Sequence, residues 1–383
     1  MIPRGFSFSA INSGVKSINS KGLDMGLVLC ETDAPTTGVF TTNKIKAAPV
    51  MIGMDILKDN TARAIITNSG NANACTGDQG IEDALSVMDS LAGSLGVERD
   101  KIIPMSTGVI GIRLPVERMT NKMPELVKGL GNDIDAFSRS LMTTDTYPKV
   151  AHRKAGRATV LGFAKGAGMI APDMATTLAI ILTDADIDPI TLNNIIKDAV
   201  NTTFNAITID GDTSTNDTLI AMTSGLVHED DMSAVAQALQ EVIEDLALMI
   251  VRDGEGATKV ISVDISGSCN NTDAKRIAMS ICNSLLVKTA MFGADPNWGR
   301  IMAAIGYSGI DINPNEISIK IQGIDVASAG KQADLFDEDA LHNALLSRNI
   351  DISINMGDGP GAFKAWTTDL SYKYVEINAE YRT

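Results

Sequence analysis

Lys165-Gly-Ala-Gly-Met-Ile-Ala-Pro-Asp-Met-Ala-Thr-Thr-Leu-Ala-Ile-Ile-Leu-Thr-Asp184 is a loop and a strand joined without a linker. Its first half, up to Met174, is punctuated by Gly166, Gly168 and Pro172 and reads as a tight loop. Its second half, from Thr177 to Leu182, is mostly apolar and rich in β-branched side chains, which suits a strand buried on both faces. Between them lies Ala175-Thr176-Thr177. A hydroxyl at the mouth of a buried strand is rigidly placed and close to backbone donors.

A threonine so placed has a chemistry of its own. If strain aims the Thr176 hydroxyl at the carbonyl of Ala175, an N→O acyl shift can break the peptide bond between them. Hydrolysis of the resulting ester leaves Thr176 with a free α-amine. That amine has a reference pKa of about 7.7–8.0, so a useful fraction is neutral at pH 7 and can serve as base for its own hydroxyl. The plainer alternative is a Thr-Thr pair that merely begins a buried strand. Local sequence leaves both standing.

The rest of the composition narrows the chemistry. A length of 383 residues suits two or three lobes with a sizeable core. The net charge of -15 repels phosphate backbones, and no basic cluster with interleaved aromatics occurs, which argues against nucleic acid as a partner. No apolar run reaches about 18 residues, which argues against a membrane span. The first ten residues lack the apolar core of a signal peptide, so the expectation is a cytoplasmic protein. Cys30, Cys75, Cys269 and Cys282 have no metal-ligand spacing and read as small buried residues. The three histidines, His152, His228 and His342, are isolated in sequence. No metal is expected.

Upstream of the central stretch, short apolar runs (Gly26 to Cys30, Gly38 to Thr41, Val50 to Ile52) suggest a β-rich start. The strand Ala62–Thr67 feeds Asn68-Ser-Gly-Asn-Ala-Asn-Ala-Cys-Thr-Gly77, a loop whose side chains either bond back to the local chain or face a ligand. Asp78 to Leu95 has helical spacing, and helical segments interrupted near Pro124 span Val116 to Leu130. Ser106-Thr107-Gly108 is a plain turn or a donor set for an oxyanion. Met142-Thr-Thr-Asp-Thr-Tyr-Pro-Lys149 is a polar loop or a helix cap. Gly156 to Phe163 is a strand.

Downstream, helices are expected at Ile190–Phe204, Met232–Val251, Ala274–Met291 and Asp337–Leu346. Strands are expected at Val260–Ile265, Ile317–Ile321, Ile350–Ile354 and Tyr374–Ile377. The loop Ile209–Asp217 has D-x-D spacing but lacks a full calcium-ligand pattern. Glu255 sits between two glycines just past a helix end. Gly357-Asp-Gly-Pro-Gly-Ala362 imitates a dinucleotide fingerprint, but too little chain follows for the βαβ unit of roughly 30 residues.

Together these stretches resemble the ornithine acetyltransferases of arginine biosynthesis, the bifunctional glutamate N-acetyltransferases, which mature by cleavage before a threonine. The matching motifs run from Thr67-Asn-Ser-Gly-Asn-Ala-Asn-Ala-Cys-Thr-Gly77 to Ile377-Asn-Ala-Glu-Tyr-Arg-Thr383, and Lys165 to Thr176 is the most specific of them. The resemblance implies an α/β fold: a two-sheet αββα-type sandwich shared with self-cleaving aminopeptidases, plus a smaller mixed α/β lobe. It implies an α chain of residues 1–175 and a β chain of residues 176–383 that intertwine, paired as a heterotetramer of two α and two β chains.

Carried over residue by residue, the resemblance places the nucleophile at Thr176 and the cleaved bond between Ala175 and Thr176. It places the oxyanion pair at Thr107 and Gly108, and substrate contacts at Thr143, Lys165, Thr176, Glu255, Asn378 and Thr383. The implied reaction moves the acetyl group of N2-acetyl-L-ornithine to L-glutamate through an acetyl-threonine, with no cofactor. Whether acetyl-CoA is a second donor is open, since no motif decides it. The rival with the same nucleophile is a self-processed amidase or aminopeptidase that passes the acyl group to water.

Overall fold

The computed structural model describes residues 1–17, 19–171 and 177–380. The chain divides into two units: Met1–Asn205 with Asp212–Ile250, and Ala206–Gly211 with the chain from Val251 onward. The strands of the first unit are β1 Phe6–Ile11, β2 Met25–Phe40, β3 Thr61–Asn71, β4 Ile102–Val109, β5 Lys149–Ala155, β6 Ala158–Lys165, β7 Leu178–Ala185 and β8 Thr218–Val227. Its helices are α1 Ala48–Ile56, α2 Gly77–Leu95, α3 Val116–Asn121, α4 Met123–Lys128, α5 Ile134–Leu141, α6 Pro189–Thr202 and α7 Met232–Arg252, the last as far as Ile250.

The long strand β2 organises this unit, because it belongs to two layers. Its first half, from Met25 to Leu29, pairs with β1 and β3; its second half, from Thr36 to Phe40, pairs with β8. The register shifts between Leu29 and Ala34, just before Pro35, which has no N–H to give a ladder. One layer is therefore β1, β2, β3 and β4, and the other runs β2-β8-β7-β6-β5.

Strand alternation then sorts the side chains. Phe8, Val28, Ile65 and Ile103 from one layer meet Leu161, Phe163, Ile180, Leu182, Ile220 and Met222 from the other in one buried cluster. Three rings, Phe8, Phe137 and Phe163, pack there with centroids 5.0–5.7 Å apart. The opposite face of the first layer, with Leu27, Ala64, Ile66 and Ile102, packs on α2, α3 and α4 through Val87, Met88, Leu91, Met119 and Met123. Val242 and Leu246 of α7 lie against Gly162 on the outer face of the second layer. Helix, sheet, sheet, helix is the expected αββα order.

The second unit is a sheet of order β12-β11-β10-β13-β9-β14, built from β9 Val260–Gly267, β10 Ser318–Ile321, β11 Ile324–Ser328, β12 Lys331–Gln332, β13 Asn349–Asn355 and β14 Gly359–Thr368. Helices α8 Asn271–Cys282, α9 Leu285–Phe292, α10 Trp298–Gly306 and α11 Glu338–Ala344 contribute to its core, and α12 Tyr372–Glu380 ends the described chain. It is the smaller mixed lobe.

Four sequence expectations change. Val50–Ile52 lies in α1, not a strand, because Pro49 starts a helix there with its fixed backbone angle. The single helix expected over Ala274–Met291 breaks in two at Asn283 and Ser284, where the Ser284 hydroxyl accepts the Val287 N–H and caps α9. Tyr374–Ile377 is helical, within α12; four residues of Tyr, Val, Glu and Ile are too short a window to separate the two periods. Cys75 and Cys269 are exposed, whereas Cys30 and Cys282 are buried, and all four are free thiols. Among the described residues, no helix is long and apolar enough to cross a membrane.

Candidate active site

β7 is buried at all eight positions, the apolar run Leu178 to Leu182 and the polar Thr183 and Asp184 alike. It lies antiparallel to β6, with Leu178 opposite Lys165, and parallel to β8, with Leu178 opposite Thr218. The end of β6 and the start of β7 are thus adjacent, and Lys165 faces a residue two positions beyond Thr176. Ala175, Thr176 and Thr383 lie outside the described residues.

Lys165 is 9% exposed, and its Nζ donates to Thr107 Oγ1 at 3.3 Å. Thr107 and Gly108 lie in the end of β4 and not in the expected turn, at the point where the parallel pairing with β3 goes out of register at Gly70 and Asn71. Gly108 has φ +134°, and a Cβ there would stand 2.2 Å from the Gly70 carbonyl carbon. Only glycine can occupy this position. Three residues expected to act together, Lys165, Thr107 and Gly108, are therefore neighbours, although Gly108 and Lys165 stand 57 positions apart in the chain.

Asp145, not singled out from the sequence, holds this group in place. Its Oδ1 accepts from Lys149 Nζ at 2.7 Å and from the Gly166 N–H at 2.7 Å, and its Oδ2 accepts from the Thr143 N–H at 3.0 Å. One carboxylate thus ties the Thr143 loop to the turn after Lys165. Burial alone would raise the Asp145 carboxyl. The ammonium groups of Lys165 and Lys149 and the Gly166 amide outweigh burial and hold it at about 2.

Asp217 is the second carboxyl the sequence did not single out. It closes the Ile209–Asp217 loop, is fully buried, and accepts the Thr177 N–H at 2.7 Å through Oδ1 and the Ser214 N–H at 3.1 Å through Oδ2. Burial pushes its carboxyl up to about 8, against the pull of the Thr177 amide and the more weakly felt Lys165. Two aspartates that both feel Lys165 are driven apart, because Asp145 bonds the Lys149 ammonium whereas Asp217 bonds the uncharged groups of Thr177 and Ser214. Sequence carried no signal for either, since burial of a charged residue depends on what folds around it.

Thr177 itself is held at φ +130°, a region that a β-branched residue rarely adopts. Its Oγ1 is buried without a hydrogen-bond partner among the described residues. The Asn-rich stretch expected as a loop from Asn68 belongs to β3 as far as Asn71, because it pairs with β4, and its side chains are structural in part. Asn68 Nδ2 donates to the Asn71 carbonyl, and Asn73 Nδ2 donates to that of Gly80.

In the second unit, Glu255 occupies the turn between α7 and β9. Asn378 of α12 donates through Nδ2 to Glu255 Oε2 at 2.8 Å and to the Tyr374 carbonyl at 3.0 Å. Gly256, at φ +68°, lets the first turn of α12 close on this loop, since a Cβ there would lie 2.4 Å from the Tyr374 nitrogen. Two of the expected substrate-binding residues, Glu255 and Asn378, are therefore in direct contact.

The model of the ArgJ family matches residues 7–383. The arginine biosynthesis bifunctional protein ArgJ of Geobacter sulfurreducens is 44% identical, with 99% of each chain covered. The glutamate N-acetyltransferase of Methanopyrus kandleri is 41% identical, covering 96% of this chain and 97% of that one. A crystal structure of the arginine biosynthesis bifunctional protein argJ from Bacillus halodurans is 45% identical with a TM-score of 0.50, and covers 52% of this chain and 96% of that chain.

Proposed function

The chain belongs to the ArgJ family, acyltransferases of arginine biosynthesis, and from that premise we propose that it moves the acetyl group of N2-acetyl-L-ornithine to L-glutamate by way of an acetyl ester on Thr176. The observation that carries this reading is the contact between Lys165 and Thr107 beside Gly108, at a strand end whose partner strand starts two residues after Thr176. A cation, a hydroxyl and a glycine-only backbone position are the parts that acyl transfer needs next to a nucleophile.

In this reading Thr176 first becomes an N-terminus by cleavage of the Ala175–Thr176 bond. Its α-amine then takes the proton of its own hydroxyl as the oxygen attacks the acetyl carbonyl. Thr107 and the Gly108 N–H stabilise the oxyanion; losing one such donor costs about 10²–10³ in kcat. The C–N bond breaks, the ornithine amine leaves with the proton, and the acetyl group stays on Thr176 Oγ1. The neutral α-amine of glutamate attacks this ester, and the same amine and hydroxyl return to their starting state.

Thr143, Lys165, Glu255, Asn378 and Thr383 bind the substrates in this scheme. Lys165 suits a carboxylate and Glu255 an ammonium by charge. The reaction needs no metal or other cofactor, because nucleophile and base belong to one residue. Acetyl-CoA as a second donor is tested by supplying it with glutamate alone. Free amino acids as substrates fit a cytoplasmic enzyme, and two α and two β chains make the assembly.

That a solved family chain spans 52% of this one accords with a protein that separates into pieces of 175 and 208 residues. The test is a denaturing gel with N-terminal sequencing, together with ornithine release from acetylornithine in the presence and absence of glutamate. Two bands, the shorter beginning at Met1 and the longer at Thr176, and release that depends on glutamate are expected. Thr176→Ala should stay whole and lose activity by at least about 10³-fold. Release independent of glutamate would make the protein a hydrolase instead.

A further inference from the structure

The loop Asp212–Asp217 touches both flanks of the segment that contains Ala175 and Thr176. On the upstream flank, Thr213 Oγ1 donates to the Ala171 carbonyl at 2.8 Å, and Ile170 forms an antiparallel bridge with Thr213. On the downstream flank, Asp217 Oδ1 accepts the Thr177 N–H, while the Thr218 N–H donates to the Thr177 carbonyl at 2.9 Å. The loop is itself anchored in the first unit. Thr41 Oγ1 donates to the Ser214 carbonyl, Asn43 Nδ2 to that of Thr213, and the Ala47 N–H to that of Thr215.

The amide that Asp217 holds belongs to the peptide link between Thr176 and Thr177, the first link of the downstream fragment. Thr177 keeps a backbone angle that costs energy in a β-branched residue, so something must hold it there. Bonds to both its N–H and its carbonyl, from consecutive residues at the start of β8, do so.

We propose that the Asp212–Asp217 loop is a clamp on the cleavage segment and that Asp217 is its positioning residue. Asp217 fixes the Thr176–Thr177 link for both self-cleavage and acetyl transfer, and Thr213 restrains the upstream side for cleavage alone. This rests on the reading of Thr176 as a self-cleaving nucleophile. The division of labour follows from chemistry: once the Ala175–Thr176 bond is cut, the upstream end no longer shares a bond with the nucleophile, whereas Thr177 still does. Displacing a reacting group by about 1 Å costs on the order of 10²-fold in rate.

The experiment follows cleavage of freshly translated chain on a denaturing gel, then kcat and KM for acetylornithine with the matured enzyme, each variant checked for folding by its thermal melt. Asp217→Ala is expected to slow cleavage about 10²-fold and, once cut, to lower kcat by a similar factor while KM changes less than about threefold. Asp217→Asn retains an oxygen for the Thr177 amide and should restore most of both rates. Thr213→Val should slow cleavage but leave kcat of the matured enzyme within about threefold, and it carries the test if Asp217→Ala does not fold.

The clamp is overturned if folded Asp217→Ala, or Thr213→Val in its stead, is cut at the wild-type rate. It is equally overturned if Asp217→Asn is as impaired as the alanine variant, since that would put the effect in the Ser214 contact. Wild type that is never cut sinks the nucleophile reading itself; wild type that is cut, beside variants cut equally fast, sinks only the clamp.

Discussion

At the scale of single residues, Asp145 and Asp217 are opposite solutions to burying a carboxyl, and pH separates them. Asp145 is ionised between Lys149 and Lys165, with its pKa below the reference carboxylate. Its contribution is therefore complete above about pH 4 and is lost as pH falls through about 2. Asp217 is neutral at pH 7, with its pKa above the reference value, so its contribution is present at low pH and is lost as pH rises through about 8. Thermal melts from pH 3 to pH 9 should show the wild type losing stability at both ends. Asp145→Asn should flatten the acid limb and cost about 3–5 kcal/mol at pH 7, because it removes the carboxylate charge that faces the buried Lys149 ammonium. Asp217→Asn should flatten the alkaline limb. If both variants keep the wild-type profile, neither carboxyl titrates as its surroundings demand.

At the scale of elements, α12 is where sequence reading and structure part most clearly. Asn378 was named through the family resemblance of the stretch Ile377 to Thr383, but its element was not legible. A strand reading would set Tyr374 and Asn378 more than 10 Å apart along the chain. The helix stacks them one turn apart, so that the Asn378 amide bonds the Tyr374 carbonyl and reaches Glu255. Gly256 shows why: its missing side chain makes room for a helical turn, a fact of packing that no local pattern encodes. The buried strand β7 and the helix α2 were legible, because the apolar run Leu178 to Leu182 and five turns of amphipathic spacing outvote any local ambiguity. Deleting Asn378–Thr383 removes the Glu255 partner along with the chain end. Acetylornithine should then lose more of its acetyl group to water, with the ratio of hydrolysis to transfer rising several-fold, as expected when a site no longer excludes solvent. An unchanged ratio, measured as ornithine released per acetylglutamate formed, would leave this segment without a part in excluding water.

At the scale of the molecule, the sheet of the first unit interleaves the two sides of the Ala175–Thr176 bond. In the order β2-β8-β7-β6, the outer strands precede that bond and the inner two follow it. That topology was beyond sequence reading, because it depends on which strands pair across 150 residues or more; the pairing of β2 with β8 joins Thr36 to Met222. Its consequence is mechanical. Removing the downstream fragment would break the β2–β8 and β6–β7 ladders together and would open the cluster in which Leu178, Ile180, Leu182, Ile220 and Met222 pack on Phe8, Val28 and Ile65. Buried apolar surface resists exposure at about 25 cal/mol per Å², and the paired strands add backbone hydrogen bonds that water alone would not replace at equal geometry. Cleavage should therefore nick the protein without separating its parts. Two bands on a denaturing gel should come from a single peak in size-exclusion chromatography. Mixing isotope-labelled and unlabelled enzyme should give no exchanged pairs of fragments until denaturant unfolds the sheet. Free exchange under native conditions would mean that the strands of one fragment are not locked between those of the other.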